Sequence, residues 1–186
     1  MCVMKYSNGD INISMKEIEE MWSNNPDGAG IGVLDVNNNL ISSFKTKNLD
    51  EFKKEVDNVL NHQQFNHAVM HFRRRSRGSF DLINVNPLKV NEDTLFFHNG
   101  TLSQLNDEEF SDSFIFVRDF LREIKDFDIS DPATVEKIHK LLDGNISRMI
   151  FLQSGDFSEY ILKRRNEIRY RYKYCSTINC TSPDVE

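Results

Sequence analysis

Cys2 brings two functional groups to one residue. Only Met1 precedes it, and a second side chain this small lets aminopeptidase remove that methionine. A chain that begins at Cys2 carries a thiol nucleophile and a free α-amine together. The amine has an ordinary pKa of about 7.7–8.0, so at neutral pH it can take the thiol proton directly or through water, and no separate histidine base is required. The plainer reading of Cys2 is a small, apolar-like side chain that opens a buried strand.

Three further segments offer groups that such a nucleophile would use. In Phe96-Phe97-His98-Asn99-Gly100-Thr101-Leu102 a strand ends at Asn-Gly. This dipeptide is the commonest hairpin turn. It can also present the Asn99 side-chain amide and the Gly100 backbone N–H in one direction as an oxyanion hole. In His71-Phe72-Arg73-Arg74-Arg75-Ser76-Arg77-Gly78, four arginines fall within five residues of an acidic protein. An Arg guanidinium binds a carboxylate through two parallel hydrogen bonds, and Ser76 can add a donor. The alternative is a solvated loop paired with surplus acids. Ser111-Asp112-Ser113 precedes a helical pattern, so Asp112 is either a cap or a counter-charge for a ligand ammonium, with its direction set by the helix start.

Taken together, these segments resemble the glutaminase domain of class II glutamine amidotransferases, members of the N-terminal nucleophile (Ntn) hydrolase superfamily. The resemblance covers most of the chain. It runs from Cys2 through Asp27-Gly28-Ala29-Gly30-Ile31, His71-Phe72-Arg73 with Ser76 and Gly78, Asn84-Val85-Asn86-Pro87-Leu88, His98-Asn99-Gly100 and Ser111-Asp112-Ser113. It implies attack by Cys2 on the side-chain amide of glutamine, with the α-amine shuttling the proton. Asn99 and Gly100 would hold the oxyanion. Arg73 and Ser76 would bind the α-carboxylate and Asp112 the α-ammonium. The products would be ammonia and a glutamyl thioester, later hydrolysed to glutamate. The implied fold is α+β, a four-layer αββα sandwich of two antiparallel sheets between helical layers. The sequence departs from the family pattern at Val3, Arg74, Arg77, Asn86 and Leu88. The resemblance implies glutamine or a related γ-glutamyl amide as substrate, and the added positive charge would tune the pocket toward a larger γ-glutamyl compound.

The elements that must position these residues are legible from periodicity. A strand is expected over Cys2 to Tyr6, then a helix behind the capping box Ser14-Met15-Lys16-Glu17 with Met15, Ile18, Met21 and Trp22 on one face. A strand over Ile31 to Val36, a turn at Asn37-Asn38-Asn39 and a strand over Leu40 to Phe44 form a hairpin. A second helix turns Phe52, Val56, Val59 and Leu60 inward. Strands at His67 to Phe72 and Thr94 to Phe97 follow. Two helices then run from about Asp112 to Ile124 and, behind an Asp131 cap with Pro132 in the first turn, to about Leu142. The chain returns to strands at Arg148 to Gln153, Glu159 to Lys163 and Ile168 to Tyr174. Helices are grouped rather than alternating with strands, so antiparallel sheets with helices on their outer faces are the natural packing.

Composition bounds the rest. The chain has 186 residues, with 39% hydrophobic and 28% charged, as in an ordinary globular domain. At this length folding buries roughly 70% of the surface of the unfolded chain, without metal or disulfide staples. The expectation is one domain over residues 1–186, or 2–186 after processing, with no fused synthase; any ammonia-accepting synthase would be a separate partner. A net charge of −6 disfavours nucleic acid and anionic lipid. No run approaches the ~20 apolar residues of a membrane helix and no signal peptide is evident, so the expected compartment is the cytoplasm. Cys2, Cys175 and Cys180 are an odd set read as reduced thiols, the last two structural. No metal site and no cofactor are expected, and His62, His67 and His139 lack ligand spacing. Arg169 to Tyr174 alternates base and aromatic. It reads as a strand burying tyrosines, or as a single-stranded nucleic-acid surface. A reading of a different class keeps the fold without catalysis and uses the arginine-rich loop to bind an anionic partner.

Overall fold

Hydrophobic alternation and a few polar caps account for most of the elements in the computed structural model, which describes residues 2–9, 13–61, 64–141, 147–163 and 167–170. After β1 (Val3–Asn8), α1 (Met15–Asn24) starts at the capping box expected from the sequence. The Ser14 hydroxyl accepts the Glu17 N–H, and the Glu17 carboxylate accepts the Ser14 N–H. β2 (Ala29–Asp35) and β3 (Leu40–Thr46) form a hairpin whose turn is held by Asp35, which accepts the N–H groups of Asn37 and Asn39. α2 (Leu49–Asn61) is capped by the Asn48 side chain, and it buries Phe52, Val56 and Val59 as the sequence predicts. β4 (Phe65–Phe72), the two-residue β5 (Leu88–Lys89) and β6 (Thr94–Gly100) follow. Then come α3 (Asp112–Phe116), α4 (Pro132–Leu141), β7 (Ser147–Gln153), β8 (Asp156–Lys163) and β9 (Glu167–Tyr170).

The strands make two antiparallel sheets, one ordered β1-β4-β2-β3 and the other β5-β6-β7-β8-β9. Strand alternation sends successive side chains to opposite faces. On β4, Ala68, Met70 and Phe72 pack with Ile18 and Met21 of α1 and Phe52 of α2. Val69 points the other way, joining Met4, Tyr6 and Leu34 in a core shared with Leu95, Phe97, Ile150 and Leu152 of the second sheet. On β6, Phe96 turns away from the first sheet toward Phe116, Val117, Val135 and Ile138 of the helical segments. At the 25 cal/mol per Å² typical of apolar burial, each fully buried Leu or Phe in these cores contributes about 1.5–3 kcal/mol.

Several boundaries differ from expectation. β6 does not turn at Asn99-Gly100; it stays paired with β7 through Gly100, opposite Ser147. The helix expected to reach Ile124 is α-helical only to Phe116. It then widens into one π-type turn over Val117–Leu121, with the Arg122 N–H bonded to the Val117 carbonyl, and both Val117 and Leu121 stay buried. β5 is too short to carry a periodic signal. Residues 171–174 of the last expected strand lie outside the described residues, as do Met1, His62, Cys175 and Cys180. Among the described residues no helix is long and apolar enough to cross a membrane.

Candidate active site

Cys2 stands just before β1, whose Met4 and Tyr6 enter the core between the sheets, so alternation puts Cys2 on that same face. Val3 pairs with Phe72, which places Cys2 beside the end of β4. Its Sγ lies 3.5 Å from the Arg74 carbonyl oxygen and 3.4 Å from the Arg74 nitrogen, donating to the first and accepting from the second. Burial pushes the Cys2 thiol up from its ordinary value, against the lowering influence of the Arg74 N–H and the Arg73 charge; the Asp112 carboxylate adds to the rise. The protonated thiol is therefore favoured over the thiolate.

Arg73 is buried, and burial also lowers its pKa, while Cys2, Asp27 and Asp112 favour its charged form. Its Nη1 donates to the Ser79 carbonyl at 3.0 Å and Nη2 to the Arg77 carbonyl at 2.9 Å. These bonds fix the guanidinium plane and leave other N–H groups of its five for a ligand. The strand-end frame is extended by Asp27-Gly28: Arg73 N–H donates to Gly28 C=O, Asp27 N–H donates to Arg73 C=O, and the Asp27 carboxylate accepts the Arg75 N–H. Arg75 lies over the Phe80 ring, and Arg77 donates to the Leu105 carbonyl at 2.7 Å. Arg74 and Ser76 are exposed on this loop.

Asn99 sits two positions after Phe97 on β6, on the face turned toward the first sheet. Gly100 follows it at the exposed strand end. Asp112 is buried, its Oδ2 accepting the Leu102 N–H at 2.7 Å and its Oδ1 the Ser113 N–H at 2.8 Å. Cys2, Arg73 and Asp112 thus share one electrostatic neighbourhood. The strand alternation aims Asn99 at the same inter-sheet side.

Other residues build the walls without having stood out as chemistry in the sequence. Asn84 bridges two loops: its amide donates to Ser79 Oγ at 3.2 Å and to the Glu109 carbonyl at 2.8 Å, and its Oδ1 accepts the Ser111 N–H at 2.6 Å. Gly78, at φ +69°, lets the arginine loop press on Phe110-Ser111, where a Cβ would come 2.5 Å from the Ser111 nitrogen. Gly30 has the Asn86-Pro87 segment against it, since a Cβ there would be 2.1 Å from the Asn86 carbonyl oxygen. Gly30 is flanked in register by His71 and Lys45. The Lys45 ammonium donates to the Val85 carbonyl at 3.1 Å, and burial, aided by the Arg122 charge, lowers its pKa to about 8. His71 is lowered to about 3 by burial, with the His98 and Arg73 charges adding; the nearby His98 carbonyl lies outside hydrogen-bond geometry. His98 is lowered to about 4 by burial, with Asp112 opposing the shift. Both imidazoles are neutral in the folded protein. A signal for them was present in the motifs His-Phe-Arg and His-Asn-Gly, but their burial was not.

Compared by sequence, the chain matches no family profile and no curated protein. Compared by structure, it is similar to glutamine phosphoribosylpyrophosphate amidotransferase from B. subtilis, determined in complex with ADP and GMP. The TM-score is 0.56 at 15% identity, over 87% of this chain and 37% of that one. The chain thus spans little more than a third of the length of that enzyme. The shared feature is the fold: α+β, with two antiparallel sheets and flanking helices.

Proposed function

We propose that the protein hydrolyses the side-chain amide of glutamine, or of a related γ-glutamyl amide, with Cys2 as an N-terminal nucleophile. In this reading the two sheets and their outer helices form the four-layer αββα sandwich of the Ntn hydrolases. The observation that carries it is the setting of Cys2: its thiol is held by the Arg74 backbone at the inter-sheet face, within the fields of Arg73 and Asp112.

The chemistry follows from that setting. Burial favours the protonated thiol in the chain that carries Met1, and the α-amine left by removal of Met1 supplies a base for it on the same residue. The sulfur adds to the amide carbon, and the resulting oxyanion is held by the Asn99 side-chain N–H and the Gly100 backbone N–H. The ammonium formed on the α-amine returns its proton to the departing nitrogen, releasing ammonia and leaving a thioester. Water, deprotonated by the same amine, hydrolyses the thioester to glutamate. Free N–H groups of Arg73 and the Ser76 hydroxyl bind the α-carboxylate, and Asp112 binds the α-ammonium. The ammonia is released or passed to a separate synthase.

Ammonia release from glutamine by protein lacking Met1 tests the reading. The expected result is turnover by the wild type and none by Cys2→Ala; equal rates would overturn it.

A further inference from the structure

The oxyanion pair proposed above stands on the last two residues of a strand whose far side carries an unusual polar connection. His98, one residue before Asn99, faces the helical layer, and its Nδ1 lies 2.7 Å from Ser113 Oγ. Ser113 Oγ donates to Asp112 Oδ1 at 3.4 Å, and the other oxygen of the same carboxylate accepts the Leu102 N–H at 2.7 Å. All four residues are buried. The segment Asn99-Gly100-Thr101 is therefore gripped on both sides, at His98 and at Leu102, by one short stretch at the start of α3. That stretch is tied in turn to the arginine loop, through Asn84 to Ser111 and through the close approach at Gly78.

The direction of the hydrogen bonds follows from their partners. A buried Nε2–H with no partner is disfavoured, so the neutral His98 carries its proton on Nδ1 and donates it to Ser113 Oγ at 2.7 Å, which leaves the Ser113 proton to point at Asp112 over the longer 3.4 Å. The buried Nε2 is then an acceptor without a partner, which costs less than a buried N–H left unpaired. The low pKa of His98 keeps this arrangement intact across neutral pH.

We propose that His98 and Ser113 are positioning residues, which act through the Asp112 carboxylate and its Leu102 bond to hold Asn99 and Gly100 in register for catalysis. Recognition of the substrate α-ammonium at Asp112 is thereby coupled to the oxyanion site. This rests on the glutaminase reading and adds that the ammonium contributes to the rate as well as to binding. A substrate charge seated on Asp112 orients both carboxylate oxygens, and a misplacement of about 1 Å at an oxyanion donor is enough to cost on the order of 100-fold in rate.

Two arms test the coupling. With wild-type protein, glutamine is compared with 4-carbamoylbutanoate, the same amide without the ammonium. The expected loss is in kcat, on the order of tenfold or more, in addition to any rise in KM; a loss confined to KM overturns the coupling. In the second arm, Ser113→Ala lowers kcat for glutamine on the order of 10- to 100-fold with KM changed less than about threefold, and Ser113→Thr restores it. Amide hydrogen exchange at Leu102 accelerates in Ser113→Ala while the amides of β2 and β4 stay protected. Unchanged kcat together with unchanged Leu102 exchange overturns the positioning role. If Ser113→Ala unfolds, the substrate comparison on wild type decides alone. Absence of Cys2-dependent ammonia release from glutamine overturns the glutaminase reading and the coupling with it, whereas the exchange at Leu102 then still decides whether the brace exists.

Discussion

At the residue scale, the proposed nucleophile and base can be read from the sequence because both would reside on Cys2 and need no distant partner. What the sequence could not show is that the thiol is buried enough to be raised rather than lowered in pKa. That sets the pH dependence. With a neutral thiol, attack requires a deprotonated α-amine, so kcat/KM is expected to rise with pH to a plateau with an inflection near the amine value of about 8. A pH–rate profile over the neutral to alkaline range checks it; a flat profile would assign the proton to another group. Arg73 was picked out as a carboxylate binder, yet its buried guanidinium already serves two loop carbonyls. Arg73→Lys keeps the charge but loses the planar fork. It is expected to lower kcat/KM on the order of 100-fold, together with a lower melting temperature, because loop and ligand depend on the same group. His71 and His98 stand in readable motifs, but their burial depends on contacts between the sheets and the helical layer, which sequence spacing does not carry.

At the element scale, caps and alternation located α1, α2, α4 and most strands to within a few residues. The differences have separate causes: β5 is only two residues long, and β6 reaches Gly100 because pairing with β7 outweighs the turn preference of Asn-Gly. The loops between elements were the least legible, since their shape depends on contacts distant in sequence, such as Gly30 under Asn86-Pro87 and Gly78 against Ser111. Gly30→Ala puts a methyl group into the Asn86 carbonyl, and it is expected to destabilise the protein by about 3 kcal/mol in a urea titration. Asn84→Ala strands the Ser111 N–H and removes one of the two hydrogen bonds on the Glu109 carbonyl, which keeps that from the Ser79 N–H, with an expected loss of about 1–3 kcal/mol. Activity should fall more than stability in that variant, because Asn84 joins the two loops that carry Arg73 and Asp112.

At the scale of the whole molecule, the neutral buried pair His71 and His98 makes the fold acid-sensitive. Unfolded, both imidazoles titrate near 6.5; folded, they titrate at about 3 and about 4. Below pH 6.5 the unfolded chain therefore binds more protons, so stability falls as pH drops, by up to about 1.4 kcal/mol per pH unit for each histidine. Above about pH 7 neither contributes to the slope. Urea midpoints at pH 7, 5.5 and 4.5 check this, and His71→Asn should remove one proton's share of the slope. Antiparallel sheets with helices on their outer faces were legible in the grouping of helices, whereas the number of sheets was implied only by the family resemblance. The pairing order of the strands was not legible, because periodicity carries no information about partners. The central claim is that this fold places one of three cysteines, Cys2, in a glutamine-shaped site. Treatment of Met1-free protein with a diazoketone analogue of glutamine, followed by peptide mass mapping, addresses it most directly. The expected result is one adduct per chain, on Cys2, suppressed by excess glutamine; labelling spread over Cys2, Cys175 and Cys180, or unaffected by glutamine, would contradict a glutamine site at Cys2.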